Sequence, residues 1–151
     1  MSSKKHLIFS LKNEYYGLDI TAVKEIIAMQ KITPVPKTQE FIQGIINLRG
    51  TIISIIDLRI KLGIEKKDYN ERTIIIVTEV IIDKIKRRIG IAVDSVSEVL
   101  DMDEGIIEEV NEEDIDIDDK FIKGIGKLED KVVLLIDIDK ILSKVELKHI
   151  K

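Results

Sequence analysis

The apolar residues of this chain fall in short runs broken by clusters of glycine and polar residues. Leu7-Ile-Phe-Ser-Leu11 reads as a strand leading to a turn at Asn13-Glu14, and further turns are predicted at Arg49-Gly50 and Glu129-Asp130. Lys84-Ile-Lys-Arg-Arg88 sits between two strand-like runs and reads as a solvated hairpin turn. Helices are expected to be few. Asp57–Leu62 and Asp137–Ser143 each begin with an aspartate placed to cap a short amphipathic helix.

The pattern is written twice. Phe41-Ile-Gln-Gly44 through Leu62 aligns without gaps, 80 residues later, on Phe121-Ile-Lys-Gly124 through Leu142. Phe41/Phe121, Gly44/Gly124, Leu48/Leu128, Asp57/Asp137 and Leu62/Leu142 match. Upstream, Gly17–Ile26 answers Gly90–Val99 with Gly, Val and Glu in register, and Leu7–Leu11 answers Ile74–Thr78. The chain therefore reads as one domain, 1–151, made of two β-rich repeats at about 7–62 and 74–142. Short strands at regular spacing suggest small barrels, each marginal alone and needing to share apolar surface.

Composition supports this reading. Ile and Val dominate the apolar set while Ala occurs only at positions 22, 28 and 92, which favours strands over helices. At 151 residues, 44% hydrophobic, the chain should bury roughly 70% of its unfolded surface, so a core needs no covalent staple. With no cysteine, a disulfide or zinc-thiolate framework is impossible. No run approaches the roughly 20 apolar residues of a membrane span, and no signal-peptide pattern is present, so a soluble protein that stays inside the cell is expected.

Charge and chemistry narrow the function. A net charge of −4 with six aromatics argues against a nucleic-acid binder. Asp101–Asp119 holds eleven acids and no base, but the positions a calcium loop requires to be Gly and Glu are Asp119 and Ile125, so it reads as a solvated acidic edge. Gly124-Ile-Gly126 lacks the third glycine of a dinucleotide loop. His6 and His149 lie near opposite ends, in segments expected to fray. No nucleophile–base pair, phosphate loop or metal set stands out, which leaves a binding protein without cofactor, metal or catalytic residues.

The most informative stretch is the hairpin Phe41–Leu58, with Asn47-Leu-Arg-Gly50 at its turn. The second copy has Lys127-Leu-Glu-Asp130 there, so Arg49 is not needed to form the unit and gains weight as a functional residue. The ordered set Tyr16-Gly-Leu-Asp-Ile20, Val23-Lys-Glu-Ile-Ile27, Phe41-Ile-Gln-Gly44, Asn47–Gly50, Ile56-Asp-Leu58, Gly90 with Val93-Asp-Ser-Val96, and Phe121–Gly126 resembles the CheW family of bacterial chemotaxis. The resemblance runs from Leu7 to about Leu142. Departures are Ser54, where the family usually has Pro, and Glu108–Ile115, where a Pro is common.

The resemblance implies an all-β fold of two small five-stranded SH3/OB-like barrels, with partly exchanged strands, short connecting helices and a core between them. It also implies a non-enzymatic adaptor joining the cytoplasmic coiled-coil tip of chemoreceptors to the regulatory domain of the histidine kinase CheA. By the same resemblance Glu25 and Arg49 form a functional salt bridge beside the Asn47–Gly50 turn. Val23, Ile26, Gly90, Val96 and Val99 are implied to line the receptor groove, and Val23/Glu25/Ile26 match Val96/Glu98/Val99 in the duplication. The rival readings are a coupler for another array such as pilus motility, the kinase regulatory domain itself, and an OB-like oligonucleotide binder. A chain running from Met1 to just past the last repeat argues against a kinase fragment.

Overall fold

A computed structural model describes residues 3–82, 84–103, 107–108 and 121–141. Most of the acidic stretch, His149 and Ser143 lie outside the described residues. The first repeat forms strands β1 (Ser3–Leu11), β2 (Glu14–Asp19), β3 (Val23–Ala28), β4 (Ile42–Leu48) and β5 (Thr51–Asp57), then the one-turn helix α1 (Leu58–Lys61). The second forms β6 (Ile74–Ile82), β7 (Ile85–Val93), β8 (Ser95–Asp103), the two-residue β9 (Ile107–Glu108), β10 (Ile122–Lys127) and β11 (Val132–Ile136), then a 3₁₀ turn at Ile138–Lys140. The Asp57 carboxylate accepts the Arg59 N–H, and that of Asp137 accepts the Asp139 N–H, so both predicted caps form.

The strands do not pair repeat by repeat. One sheet runs β8-β1-β2-β11-β10-β9 and the other β3-β6-β7-β5-β4. Each repeat gives its first two strands to the sheet built from the other's last three long ones, and the two sheets have the same order once equivalent strands are matched. The repeats are joined by the parallel pairs β2–β11 and β5–β7 and by the antiparallel pairs β1–β8 and β3–β6. The all-β architecture with exchanged strands is as expected, but neither sheet closes into a full barrel. In the second sheet an isolated bridge connects the chain after β3 to β4, with Thr33 and Ile45 exchanging backbone hydrogen bonds of 2.8 and 2.9 Å. Gly44 permits this approach: a Cβ there would lie 2.2 Å from the Thr33 carbonyl oxygen.

The repeated Phe-Ile-x-Gly motif has a backbone cause. The register shifts between Ile42 and Gly44 and again between Ile122 and Gly124, giving a bulge in each hairpin. The Phe41 and Phe121 carbonyls then accept the N–H of Asp57 and Asp137 at 2.8 and 2.7 Å.

Side chains divide by strand period between three cores. Leu7, Phe9, Leu18, Ile56, Ile76, Ile91 and Ile136 belong to a core shared by both sheets. Their neighbours on the opposite faces fill a separate core inside each curled sheet, Ile53, Ile55, Ile75, Val77 and Ala92 in one, Ile8, Met102, Val133 and Leu135 in the other. Burial on both faces explains why these strands read as continuous apolar runs.

Two polar features were not visible in the sequence. Arg59 has a side chain only 4% exposed, set 3.2 Å from Asp94 and 3.6 Å from Asp57, and donates to the Lys67 carbonyl at 2.7 Å. The Tyr69 hydroxyl donates to Asp57 at 2.8 Å, and burial together with that carboxylate pushes its pKa well above the usual range. Asp94 also accepts the Lys12 N–H. This cluster fastens the linker between repeats to both of them.

His6, expected in a fraying end, is instead buried at 1% exposure, paired through β1 with Asp19 and Leu100. Its Nδ1 lies 3.2 Å from the Lys4 carbonyl and its Nε2 has no partner. Burial, with Lys123 next in effect, lowers its pKa against the weaker pull of Asp19.

Two predictions follow from this packing. Neither 1–70 nor 71–151 expressed alone contains a complete sheet, so each should be unfolded or aggregated; a cooperative melt from either half would contradict the exchange. For His6, the unfolded chain takes up a proton as pH falls below about 6.5 while the folded chain resists, so stability is full above that pH and drains away through the lower folded pKa. His6→Leu should flatten the urea-midpoint profile between about pH 7.5 and pH 5 relative to wild type.

Candidate functional site

The strand β3 lies at one edge of its sheet and β8 at the equivalent edge of the other. Val23 and Val96 occupy matching places, each half-buried against the shared core. Further along, Ile26 and Val99 are 45% and 48% exposed, too much for a core role. Gly90 is placed differently. It is buried in β7, where an added Cβ would lie 2.6 Å from Ile55 Cδ1 and 2.9 Å from Ile75 Cγ2. Its counterpart Gly17 would meet Leu135 Cδ2 at 2.8 Å. Both glycines sit where a parallel pair joins the repeats, at Ile55↔Gly90 and Leu135↔Gly17.

Glu25 projects from β3 toward the turn between β4 and β5. Arg49 and Gly50 form that two-residue turn with φ of 52° and 89°, the left-handed pair a type I′ hairpin requires. The Asn47 side chain accepts the Gly50 N–H at 2.8 Å, which holds the bend. Arg49 Nη2 then donates to Glu25 Oε2 at 2.6 Å. Because β3 and β4 are opposite edges of this sheet, the ion pair spans the open end of its curl. The bond from Arg49 lowers the Glu25 pKa, with a smaller contribution from Arg88.

The other sheet carries a counterpart that the sequence comparison missed. Glu98, the equivalent of Glu25, accepts a 3.0 Å bond from Lys131, whose Nζ also lies 4.7 Å from the Tyr15 ring centroid. The cation comes from two residues beyond the position of Arg49, so aligning turn against turn hides it. The second hairpin forms without arginine and supplies Lys131 as its cation to Glu98.

β3 thus presents half-exposed aliphatics and an ion pair at the edge of its sheet. Among the described residues no His/Cys/Asp/Glu group could hold a metal ion, and no helix is long and apolar enough to cross a membrane. The fold is that of a β-rich module built of two sheets with strands exchanged between repeats.

Comparison with known proteins names the family. The CheW-like domain model matches residues 5–146. The chemotaxis protein CheW of Klebsiella aerogenes is 38% identical over 144 residues, 95% of this chain and 84% of that protein. The CheW of Thermotoga maritima is 31% identical over 146 residues, 95% of this chain and 90% of that one. The crystal structure of the scaffolding protein TtCheW from Thermoanaerobacter tengcongensis superposes with a TM-score of 0.85 at 38% identity, covering 99% of this chain and 100% of that one. The chain belongs to the CheW-like family. It is an adaptor of chemotaxis signalling and not an enzyme.

The close packing over Gly90 is testable. Gly90→Ala should cost about 1–3 kcal/mol through overpacking against Ile55 and Ile75. A urea midpoint unchanged from wild type would show that the strand join tolerates a methyl group.

Proposed function

We propose that this adaptor couples the cytoplasmic coiled-coil tip of a chemoreceptor to the regulatory domain of the histidine kinase CheA, acting in the cytoplasm as one unit across both repeats. The reading rests on the family and on one observation, the Glu25–Arg49 bond closing the open edge of β3 beside Val23 and Ile26. A receptor helix laid between this edge and that of β8 buries Val23, Ile26, Val96 and Val99 in the way an amphipathic helix fills an apolar groove. Gly90 supports the groove from beneath by letting β5 and β7 pack closely. Asn47 and Gly50 set the turn that aims Arg49. Kinase control then comes from which proteins are held together, with no chemistry on the adaptor.

An exposed ion pair contributes little to stability, so its role is positional. Glu25→Arg and Arg49→Glu each place like charges together and should weaken receptor binding while melting temperature holds. The double reversal should recover part of the loss, because neighbouring residues couple non-additively. Receptor affinity and receptor-dependent kinase activation, measured for all four proteins, decide it. Effects that simply add would separate the two residues functionally. Normal binding by both singles would move the receptor site elsewhere.

A further inference from the structure

The run Lys84–Arg88 has a place that its sequence does not disclose. In the β6–β7 ladder Ile81 faces Lys86 and Glu79 faces Arg88, while Val77 is paired with Gly90 and, across β3, with Glu25. Strand alternation puts Glu25, Glu79, Ile81, Lys86 and Arg88 on one face. That face lines the interior of the curled sheet at Val77 and becomes its rim beyond. Arg49 reaches the same rim from the opposite edge through its bond to Glu25.

Among the described residues of this rim, the cations Lys24, Arg49, Lys86 and Arg88 share the carboxylates Glu25 and Glu79. Glu79 is shared between Lys24 and Lys86, each 4.0 Å away, and Glu25 is occupied by Arg49 with Arg88 nearby. Lys84 and Ile85 extend the same hairpin tip, where Ile81 and Ile85 are each 55% exposed. Among the described residues the acids within reach are Glu25, Glu79 and, at the Ile81 N–H, Asp139. A chain of net charge −4 thus concentrates positive charge around one docking edge.

The fold does not need it. In the other sheet Arg88 and Lys86 correspond to Tyr15 and Asn13, taking Gly17 as the partner of Gly90. That rim keeps its ion pair, Glu98 with Lys131, and packs the cation over an aromatic ring. The same architecture is built with and without the extra cations.

We infer that Lys24, Lys86 and Arg88 form a cationic collar around the Glu25–Arg49 pair that receives carboxylates of the receptor segment docked on β3. The inference rests on the receptor reading above and names the chemistry of that partner: an amphipathic segment with an acidic flank beside its apolar face. The collar steers encounter and fixes register, as complementary charge at an interface rim does.

The test uses the full chain and a purified receptor cytoplasmic-tip fragment, with association and dissociation followed at low and high salt. Lys86→Glu with Arg88→Glu should slow association by about tenfold at low salt, leave dissociation nearly unchanged, and flatten the salt dependence. Lys86→Gln with Arg88→Gln should fall between this and wild type, which keeps the test usable if the double reversal folds poorly. Wild-type rates and salt dependence in the neutral pair overturn the collar while leaving the receptor reading intact. Failure of wild type to bind the fragment at all removes that reading and the collar with it. If the substitutions instead abolish self-association and spare receptor binding, the collar belongs to the acidic 101–119 run of a second copy, and the inference is wrong.

Discussion

The molecule depends on two parallel strand pairs, β2 with β11 and β5 with β7. Parallel neighbours cannot be joined by a hairpin and need a long crossover. Here the intervening chain is residues 20–131 in the first pair and 58–84 in the second, so each seam joins a strand of one repeat to a strand of the other. Gly17 and Gly90 let the facing side chains Leu135 and Ile55 come close at these seams. Each sheet then buries one face in a core of its own and the other in the shared core. Few ion pairs are required to hold such an arrangement. The buried Arg59 cluster is better seen as a fastening for the linker than as a source of net stability, since desolvating charges offsets much of their attraction.

The duplication and the all-β class were legible because repeated side chains carry repeated backbone duties. Phe41 and Phe121 mark the two bulges, and Asp57 and Asp137 the two caps. Which repeat completes which sheet was not legible in pattern alone. A strand equivalent to β1 satisfies either sheet equally, so only the resemblance carried the exchange. His6 was misjudged for a related reason. Nearness to the chain start suggested fraying, whereas β1 lies between β2 and β8 and is held on both sides.

The site was partly readable. Glu25 and Arg49 came from the family pattern, and the structure brings their side chains together. Lys131 escaped notice because its backbone position is shifted while its ammonium group arrives at the equivalent carboxylate. Gly90 was grouped with the groove by the family pattern, and in the fold it is buried where an added Cβ would meet Ile55 and Ile75. Arg59 and Tyr69 could not be found from spacing, since their partners depend on how the linker folds back.

The exchanged strands also constrain how such a protein could arise. A single repeat has no complete sheet, so a half-length ancestor would have needed a twin to fold, and the pair would have been related by a two-fold axis. Two identical faces are then unavoidable, because symmetry copies every surface residue. Joining the repeats through residues 63–73 lifted that requirement. One rim could acquire Arg88 and Lys86 while its counterpart kept Tyr15 and Asn13. A protein that must hold two different neighbours at once needs that freedom, and fusion of the halves supplies it without altering the sheets beneath.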